Sequence, residues 1–444
     1  MQNKKTKRFW IALVLFSLIG QIAWVVENMY FNVFIYKMFA ASPAQISLMV
    51  SASAVVATVT TIFIGALSDK LGKRKLFISA GYILWGVSIL AFSLVRKDVI
   101  GTLFTATTSV SAICITITIV LDCLMTFFGS TANDACFNAW LTDVTEPKTR
   151  GAAEGVNSMM PLMAILVVFG GFLSFDLSQS SAWTAIFCII GAVVLLAGVL
   201  SIFLVQEPAQ QKQGNERYFY NVLHGFRLST VKKNPILYGT IAAFALFGIS
   251  IQVFMPYLII YYEVSLSLEN YVLIMAPAIL IAGAITAFYG RYYDKVGFFR
   301  SLMPALGLLA VGYVLLGAFQ HVAVVFIGSL CMMTGYLTGM AVFGAMIRDY
   351  TPQGKAGAFQ GLRIVGQVLI PGIVGPVIGA AVLANAKTMV GNDGTESFIP
   401  SQAIFWAALA VLAVVALAVL CLIPILRKET PAQSAQAEPQ EKEI

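Results

Sequence analysis

The chain has 444 residues, of which 59% are hydrophobic and only 11% are charged. Soluble domains carry about 25% charged residues, so this composition excludes an ordinary soluble protein. A net charge of +7 would favour nucleic acid in a soluble protein, but these basic residues flank apolar segments, so we expect a lipid bilayer and no nucleic acid as partner.

Apolar segments recur along the chain, each long enough to cross a hydrocarbon core of about 30 Å. No segment reads as paired alternating strands, so the spanning units should be helices, which satisfy their own backbone hydrogen bonds. We predict an all-α integral membrane protein with twelve transmembrane helices, near residues 9–36, 43–68, 76–96, 112–141, 152–175, 182–205, 236–262, 270–290, 299–319, 322–347, 357–385 and 402–426. Residues 97–115 are additional to what span four needs, and we expect them to form a loop, a re-entrant or interfacial segment, or part of that span.

The 28 lysines and arginines concentrate at the two ends of the chain and in every second loop. The exceptions are Lys37, Arg96, Lys97 and Lys387 on the opposite side and Arg363 within a span. This asymmetry is the positive-inside pattern, and it predicts cytoplasmic termini and a multi-pass protein of the plasma (inner) membrane.

The polar segment 206–235 divides the chain into two bundles of six spans, at 1–205 and 236–426. This linker is either a short amphipathic helix on the cytoplasmic membrane face or a disordered segment. The polar tail at 427–444 is expected to be disordered.

The two halves repeat one another. Thr61, Gly65, Asp69, Lys70 and Gly72 recur 225 positions later as Thr286, Gly290, Asp294, Lys295 and Gly297. A second series, which includes Gly129, Asp143 and Thr145, recurs 206 positions later as Gly335, Asp349 and Thr351. Two related six-span halves, with a site between them near the midplane, are typical of secondary transporters.

The loop at 65–75, GALSDKLGKRK, resembles the signature between spans two and three of the major facilitator superfamily, and 290–297 is its weaker copy. The resemblance covers essentially the whole chain. It implies that Asp69 accepts hydrogen bonds at the N-terminus of span eleven, pairs with a neighbouring cation and locks the cytoplasmic side. The same gating cluster would include Gly65, Gly72, Arg74, Asp143, Arg150, Asp294 and Asp349. The alternative is that these charges only fix the topology.

The chain also resembles, more weakly, the glycoside–pentoside–hexuronide cation symporters and the sucrose–proton symporter group. Span two carries no acidic residue, whereas the former group places cation-binding aspartates there, which argues against sodium coupling through that motif. The glycine–proline motif of span five in drug–proton antiporters is also absent here, which argues modestly against drug export.

Polar side chains recur at helical spacing in span one, where Gln21, Trp24, Asn28 and Asn32 share a face. Amides and an indole suit a hydroxyl-rich ligand, although polar residues also join membrane helices to one another. Span four adds Asp122, Thr126, Gly129 and Asn133 along one face. By the resemblance, spans one, four, seven and ten line the cavity.

Ionisable groups at membrane depth usually face a cavity or a partner. We therefore predict that Asp122, Glu27 and Asp134, in that order, carry a coupling proton, with structural pairing as the alternative. In the second half, Gln252 and Tyr257 of span seven and Arg363 and Gln367 of span eleven complete the predicted substrate site. Arg363 either binds an anionic group or extends to water.

The leading hypothesis is a monomeric secondary active transporter that moves a small polar solute, such as a sugar or glycoside, by proton symport and alternating access. An exporter of amphipathic compounds is the first alternative, and a non-transporting membrane sensor is a remote one. With only two histidines and no metal-ligand spacing among the six cysteines, we expect no cofactor, no metal and no enzyme activity.

Overall fold

A computed structural model of the protein describes residues 2–104, 109–145, 147–206, 228–268, 270–351, 361–390 and 395–436. Within these ranges, eleven helical segments are long and apolar enough to cross a membrane. They lie at Lys7–Phe39, Pro43–Leu71, Arg74–Phe92, Val110–Val144, Gly155–Phe172, Ser180–Leu204, Pro235–Ser265, Val272–Ala318, Val322–Asp349, Gly361–Val382 and Ala403–Pro424. The first, fifth and last belong to the longer helical stretches that begin at Gln2, begin at Pro147 and end at Gln436.

The segment Val272–Ala318 is two spans joined by a tight reversal. Its 47 residues would extend about 70 Å as a straight helix, more than twice the thickness of a hydrocarbon core. Gly297 interrupts the helix with φ 77° and ψ −179°, a conformation that residues with a side chain rarely adopt. The Tyr289 hydroxyl donates to the backbone oxygen of Ser301 at 2.7 Å, a contact that a straight helix would not allow across twelve positions. Within the described residues, the chain therefore has twelve helical segments able to cross a membrane, which confirms the predicted fold class.

The predicted repeat has a counterpart in the backbone. Gly72, which ends the helix Pro43–Leu71, also has a positive φ of 63°. It corresponds to Gly297 at the predicted offset of 225 residues. A left-handed glycine thus turns the chain after span two and again after span eight.

Within the described residues, four spans contain π-helical segments, three of them flanked by α-helix and one at the end of its span. They are Val26–Tyr30 in span one, Ser130–Phe137 in span four, Tyr261–Ser265 in span seven and Val365–Leu369 in span eleven. A π-turn carries one extra residue, so it rotates the positions that follow it relative to a regular helix. These segments decide which side chains face the space between the halves.

Aromatic packing positions span one inside the first half. The ring centroids of Phe31 and Phe92 are 4.6 Å apart, and those of Phe34 and Phe187 are 5.0 Å apart. These contacts join span one to spans three and six. Spans two and eleven approach closely across the two halves, because a Cβ added at Gly372 would lie only 2.5 Å from the Cβ of Ala54.

Residues 97–115 resolve into two elements within their described part. Lys97–Leu103 forms a short helix with exposed Leu103 and Phe104, and Val110 begins span four. Span four continues to Val144, slightly beyond the predicted end. Residues 105–108 lie outside the described residues.

Three features differ from the sequence prediction or fall outside the description. A small antiparallel hairpin pairs Thr388–Val390 with Glu396–Phe398 between spans eleven and twelve. The sequence predicts disorder after Arg427, but the last helix continues to Gln436. This segment contains Lys, Glu, Ala and Gln, which are good helix formers. In the predicted linker, Leu228–Lys233 is a short helix, and residues 207–227 lie outside the described residues.

Candidate functional site

A cavity of about 520 Å³ lies between the two halves. Its lining comes from spans one, two, four and five of the first half and from spans seven, eight, ten and eleven of the second. This volume falls within the range of pockets that hold small-molecule ligands. The cavity is therefore the candidate site.

Glu27 lies at the centre of a hydrogen-bonded cluster in this cavity. It belongs to the π-helical segment of span one and is only 7% exposed. Its Oε1 accepts from the Ser53 hydroxyl of span two at 2.7 Å and from the Thr126 hydroxyl of span four at 2.9 Å. The two hydroxyl oxygens are themselves 2.7 Å apart. Three spans thus meet at one carboxyl oxygen, and we call these three residues the carboxyl–hydroxyl ring.

Asp122 lies one helical turn before Thr126 on span four and also lines the cavity. It is 2% exposed, and its Oδ1 has no hydrogen-bond partner among the described residues. Asp134 lines the cavity further along the same span and accepts a hydrogen bond from Ser130 at 3.0 Å. The structure therefore brings all three predicted carboxyl groups to one cavity.

The polar stripe of span one also faces the cavity, where Gln21, Trp24, Asn28 and Asn32 are all lining residues. The Asn28 amide donates to the backbone oxygen of Trp24 at 2.8 Å, and the Asn32 amide donates to that of Asn28 at 3.1 Å. Buried Trp24 Nε1 and Asn32 Oδ1 have no hydrogen-bond partner in the described part of the chain. This stripe therefore presents both donors and acceptors to a ligand.

The second half contributes a less polar wall. Gln252 and Gln367 line the cavity as the sequence predicts. Tyr336 of span ten and three methionines of spans seven and ten also line it. Nothing in the sequence distinguishes these methionines from packing residues, since Met fills irregular cores equally well. Ser53 was missed for a similar reason, because a serine in an apolar span carries no periodic signal.

Three predicted substrate residues do not line the cavity. Asn133 is 3% exposed, and its amide donates to the Tyr82 hydroxyl at 2.7 Å. The Tyr257 side chain is fully buried, and its hydroxyl donates to the backbone oxygen of Pro43 at 3.0 Å. Arg363 donates to Gln367 at 3.3 Å. Asn133 lies in the π-helical segment of span four, which turns Asp134 toward the cavity in its place.

On the side opposite the basic loops, polar contacts join the two halves. Lys37 of span one and Glu263 of span seven form a salt bridge with an Nζ–Oε2 distance of 2.7 Å. The hydroxyl groups of Tyr30 and Tyr271 share a hydrogen bond of 2.9 Å, and Tyr36 donates to the backbone oxygen of Phe398 at 2.6 Å. We call these contacts the outer seal.

On the side of the basic loops, the Arg74 side chain contacts two other predicted gating residues of the first half, Asp69 and Asp143. Its guanidinium lies 2.6 Å from Asp69 Oδ1, bonds to Asp143 and lies 3.3 Å from the Ser68 hydroxyl. The Arg74 residue is only 6% exposed. Ser68 in turn donates to the backbone oxygen of Gly65 at 2.9 Å. The loop that carries the family-like signature is therefore bound to the end of span four on the side of the basic loops.

The second half shows a weaker version of this arrangement. Asp349, which corresponds to Asp143, accepts a hydrogen bond of 2.5 Å from the Tyr293 hydroxyl. Asp294 is exposed. The N-terminus of span eleven, the predicted partner of Asp69, lies outside the described residues, as does the side chain of Arg150.

The fold and the cavity define a polytopic helical membrane protein with a ligand-sized, carboxyl-bearing cavity between two related bundles. A family model described as the Major Facilitator Superfamily matches residues 9–376 and 288–443. The chain therefore belongs to the Major Facilitator Superfamily, whose members are transporters, and the predicted family resemblance is confirmed.

Solved structures agree with this fold. A variant of the nucleoside transporter NupG has a TM-score of 0.69 at 12% identity, covering 93% of this chain and 99% of that one. A D-xylose-proton symporter has a TM-score of 0.69 at 14% identity, covering 92% of this chain and 96% of that one.

Among curated proteins, the multi-drug resistance efflux pump PmrA homolog of Lactococcus lactis subsp. lactis (strain IL1403) is 22% identical over 222 residues, or 48% of this chain. The match spans 53% of the length of that relative.

Proposed function

We propose that this protein is a secondary active transporter that moves a small polar solute, such as a sugar or glycoside, across the plasma membrane by proton symport. The observation that carries the proposal is the carboxyl–hydroxyl ring of Glu27, Ser53 and Thr126 in the central cavity.

The number of hydrogen atoms that this ring needs favours a protonated Glu27. Three oxygens lie within 2.7–2.9 Å of one another, which makes three contacts of hydrogen-bond length. Ser53 and Thr126 supply one hydroxyl hydrogen each, so an ionised Glu27 leaves one contact without a hydrogen. A proton on Glu27 Oε1 supplies the third hydrogen and lets each oxygen donate once and accept once.

The same distances fit a proton as the coupling ion at this position. Oxygens at hydrogen-bond distance already have the spacing that a shared proton requires, so a proton fits without rearrangement. In the described part of the chain, no Lys, Arg or His lines the cavity to neutralise the carboxyl groups. A proton is therefore the simplest counter-charge, and Glu27 takes precedence over Asp122, which the sequence ranks first.

Protonation would be coupled to alternating access through the cost of burying charge. The outer seal closes the predicted outer side of this conformation. An ionised Glu27 in an occluded cavity without a cation would be costly, because a charge at membrane depth is unfavourable by about 2.5–3.5 kcal/mol or more. Proton binding removes this cost, so the protonated, solute-loaded carrier is expected to reorient readily.

The polar stripe of span one supports a polar solute. Gln21, Asn28 and Asn32 offer amide donors and acceptors, and the Trp24 ring suits stacking on an apolar sugar face. The roles of the gating residues, the plasma-membrane location, the cytoplasmic termini, the monomeric state and the weaker symporter resemblance remain predictions alongside this proposal.

Export of amphipathic compounds is the second candidate. The methionine-containing wall of the second half favours it, since flexible thioethers suit ligands of variable shape. The partial likeness to an efflux pump points the same way.

The test is solute uptake into proteoliposomes with an imposed pH gradient, using a panel of sugars, glycosides, organic acids and amphipathic cations. We expect accumulation of a polar solute in wild type, with Glu27→Gln and Asp122→Asn losing the effect of the gradient. Asp176→Asn, which changes an exposed carboxylate in the loop between spans five and six, is the matched control. Equal flux with and without the gradient would rule out symport. Full gradient-driven accumulation in Glu27→Gln and Asp122→Asn would show that these residues do not carry the coupling proton.

A further inference from the structure

We propose that the transported solute is amphipathic, with a hydrogen-bond-donating polar head that carries no negative charge, joined to an apolar body. This inference rests on the proposed function and deepens it, because the polar solute proposed above, such as a glycoside, would carry an apolar body beside its polar head.

The head is inferred from unpaired acceptors on the first-half wall. Glu27 Oε2, Asn32 Oδ1 and Asp122 Oδ1 are buried oxygens of lining residues, without a hydrogen-bond partner among the described residues. Each of these residues is less than 8% exposed. Against these three acceptors stands one unpaired donor on the same wall, Trp24 Nε1. A buried acceptor left unpaired costs free energy, so a ligand that supplies donors is favoured.

The absence of negative charge on the head follows from the charges of the lining. Glu27, Asp122 and Asp134 all line the first-half side, and the described lining contains no basic side chain. A carboxylate or phosphate on the solute would meet the carboxyl groups of Asp122 and Asp134 at close range, with neutral donors and no cation in the described lining to balance its charge. An ammonium group or a set of hydroxyl groups would instead satisfy the free oxygens.

The apolar body is inferred from the opposite wall. Met255, Met333, Leu337 and Met340 of spans seven and ten line the second-half side, with Tyr336 among them. Unbranched methionines adapt to different shapes, so this wall favours apolar groups without fixing one outline. A solute with only a polar head would leave this surface in contact with water, and a solute with both parts would cover both walls.

Two head groups share the required chemistry, an ammonium group and a polyhydroxyl ring, and a binding experiment separates them. The protein is placed in lipid nanodiscs, which avoids competition from glycoside detergents, and binding is followed by its intrinsic tryptophan fluorescence. The probes are phenylbutylamine, phenyl glucoside and phenylbutyrate, together with methylamine and methyl glucoside, which carry the heads without the apolar body.

We expect phenylbutylamine or phenyl glucoside to bind at least about tenfold more tightly than phenylbutyrate and than the matching head alone. Each methylene-sized group removed from the apolar contact should weaken binding about fourfold. If the amine is preferred and loses affinity in Asp122→Asn, the head is an ammonium group. If the glucoside is preferred and Asp122→Asn, which keeps an acceptor oxygen, retains its binding, the head is hydroxylated. Phenylbutyrate binding as tightly as both, heads alone binding as tightly as the full probes, or no binding by either full probe overturns the proposal.

Matched variants test the two walls separately. Met340→Ala should weaken the full probes several-fold without affecting the heads alone, whereas Met163→Ala, on the 43% exposed Met163 of span five outside the lining, should change neither. Asp176→Asn again controls for loss of a carboxylate. Because binding is measured without a gradient, a pattern that holds while gradient-driven transport fails would reject the proposed function and leave the ligand class standing.

Discussion

The salt bridge between Lys37 and Glu263 should hold the predicted outer side closed. It joins the first and second halves, and its side chains are only 21% and 12% exposed. In a conformation open to the outside, the two halves would separate there and both charges would be hydrated. Replacing Lys37 by Ala should therefore destabilise the closed state selectively.

The size of the effect follows from the environment of the pair. A hydrogen bond to a charged group contributes about 1.5–3 kcal/mol when it is largely removed from water. If this free energy is lost only from the closed state, the conformational equilibrium shifts about tenfold to hundredfold toward the outward-open form. The tyrosine contacts of the outer seal remain in Lys37→Ala, so we expect a redistribution and not complete opening.

Pulsed electron paramagnetic resonance between spin labels at Leu94→Cys and Phe319→Cys would measure this shift. Both positions are exposed at the ends of spans three and nine, in different halves. The six native cysteines are first replaced by serine. Lys37→Ala should add a population of longer distances, and the charge exchange Lys37→Glu with Glu263→Lys should largely remove it.

The control is the exposed pair of Arg96 and Asp98, 2.6 Å apart, whose side chains are 37% and 62% exposed and which lie within one half. Arg96→Ala should leave the distance distribution unchanged, since an exposed pair contributes little and does not cross the interface. If Lys37→Ala gives the same distribution as Arg96→Ala, the salt bridge does not stabilise the closed state and the reasoning is refuted.

Three further outcomes are expected. Gly312→Ala should lower the stability of the protein by about 1–3 kcal/mol, because its Cβ would lie 2.5 Å from backbone of span ten, whereas Gly307→Ala has open space; equal melting temperatures would contradict this packing. Arg74→Ala should destabilise the first half by about 1–3 kcal/mol, since it removes the buried guanidinium that bonds to Asp69 and Asp143, and unchanged thermal unfolding would contradict the structural role of this residue. Asn133→Ala should lower the melting temperature with little effect on ligand affinity and Gln21→Ala should do the reverse, so the opposite pattern in paired melting and binding assays would place the cavity wrongly.

Much of the fold could be predicted because membrane spans leave a strong signal. Apolar length identifies the spans, and the duplicated Asp- and Gly-containing loops identify the two halves. The reversal at Gly297 was implied by the same pattern, since its counterpart Gly72 ends a helix in the first half. The hairpin Thr388–Val390 with Glu396–Phe398 was missed, because three-residue strands have no periodicity to detect.

The cavity was predicted only in part, because a π-helical segment can shift a helical face: the predicted stripe of span one is kept through its π-helical segment, whereas that of span four is not. Asp122 and Thr126 lie before the π-helical segment of span four, and both reach the cavity as predicted. Asn133 lies within the π-helical segment, where the extra residue shifts the facing position to Asp134. Ser53 required knowledge of which span packs beside Glu27, and a single sequence does not carry that information.

Proton movement driven by the solute tests the central claim most directly. Wild-type proteoliposomes in a weakly buffered medium receive, on the outside, the solute found to be transported, and the external pH is recorded without an imposed gradient. We predict that the medium becomes alkaline as protons enter with the solute, and that Glu27→Gln transports solute down its gradient without this pH change. Solute entry into wild-type vesicles with no change in external pH would contradict the account.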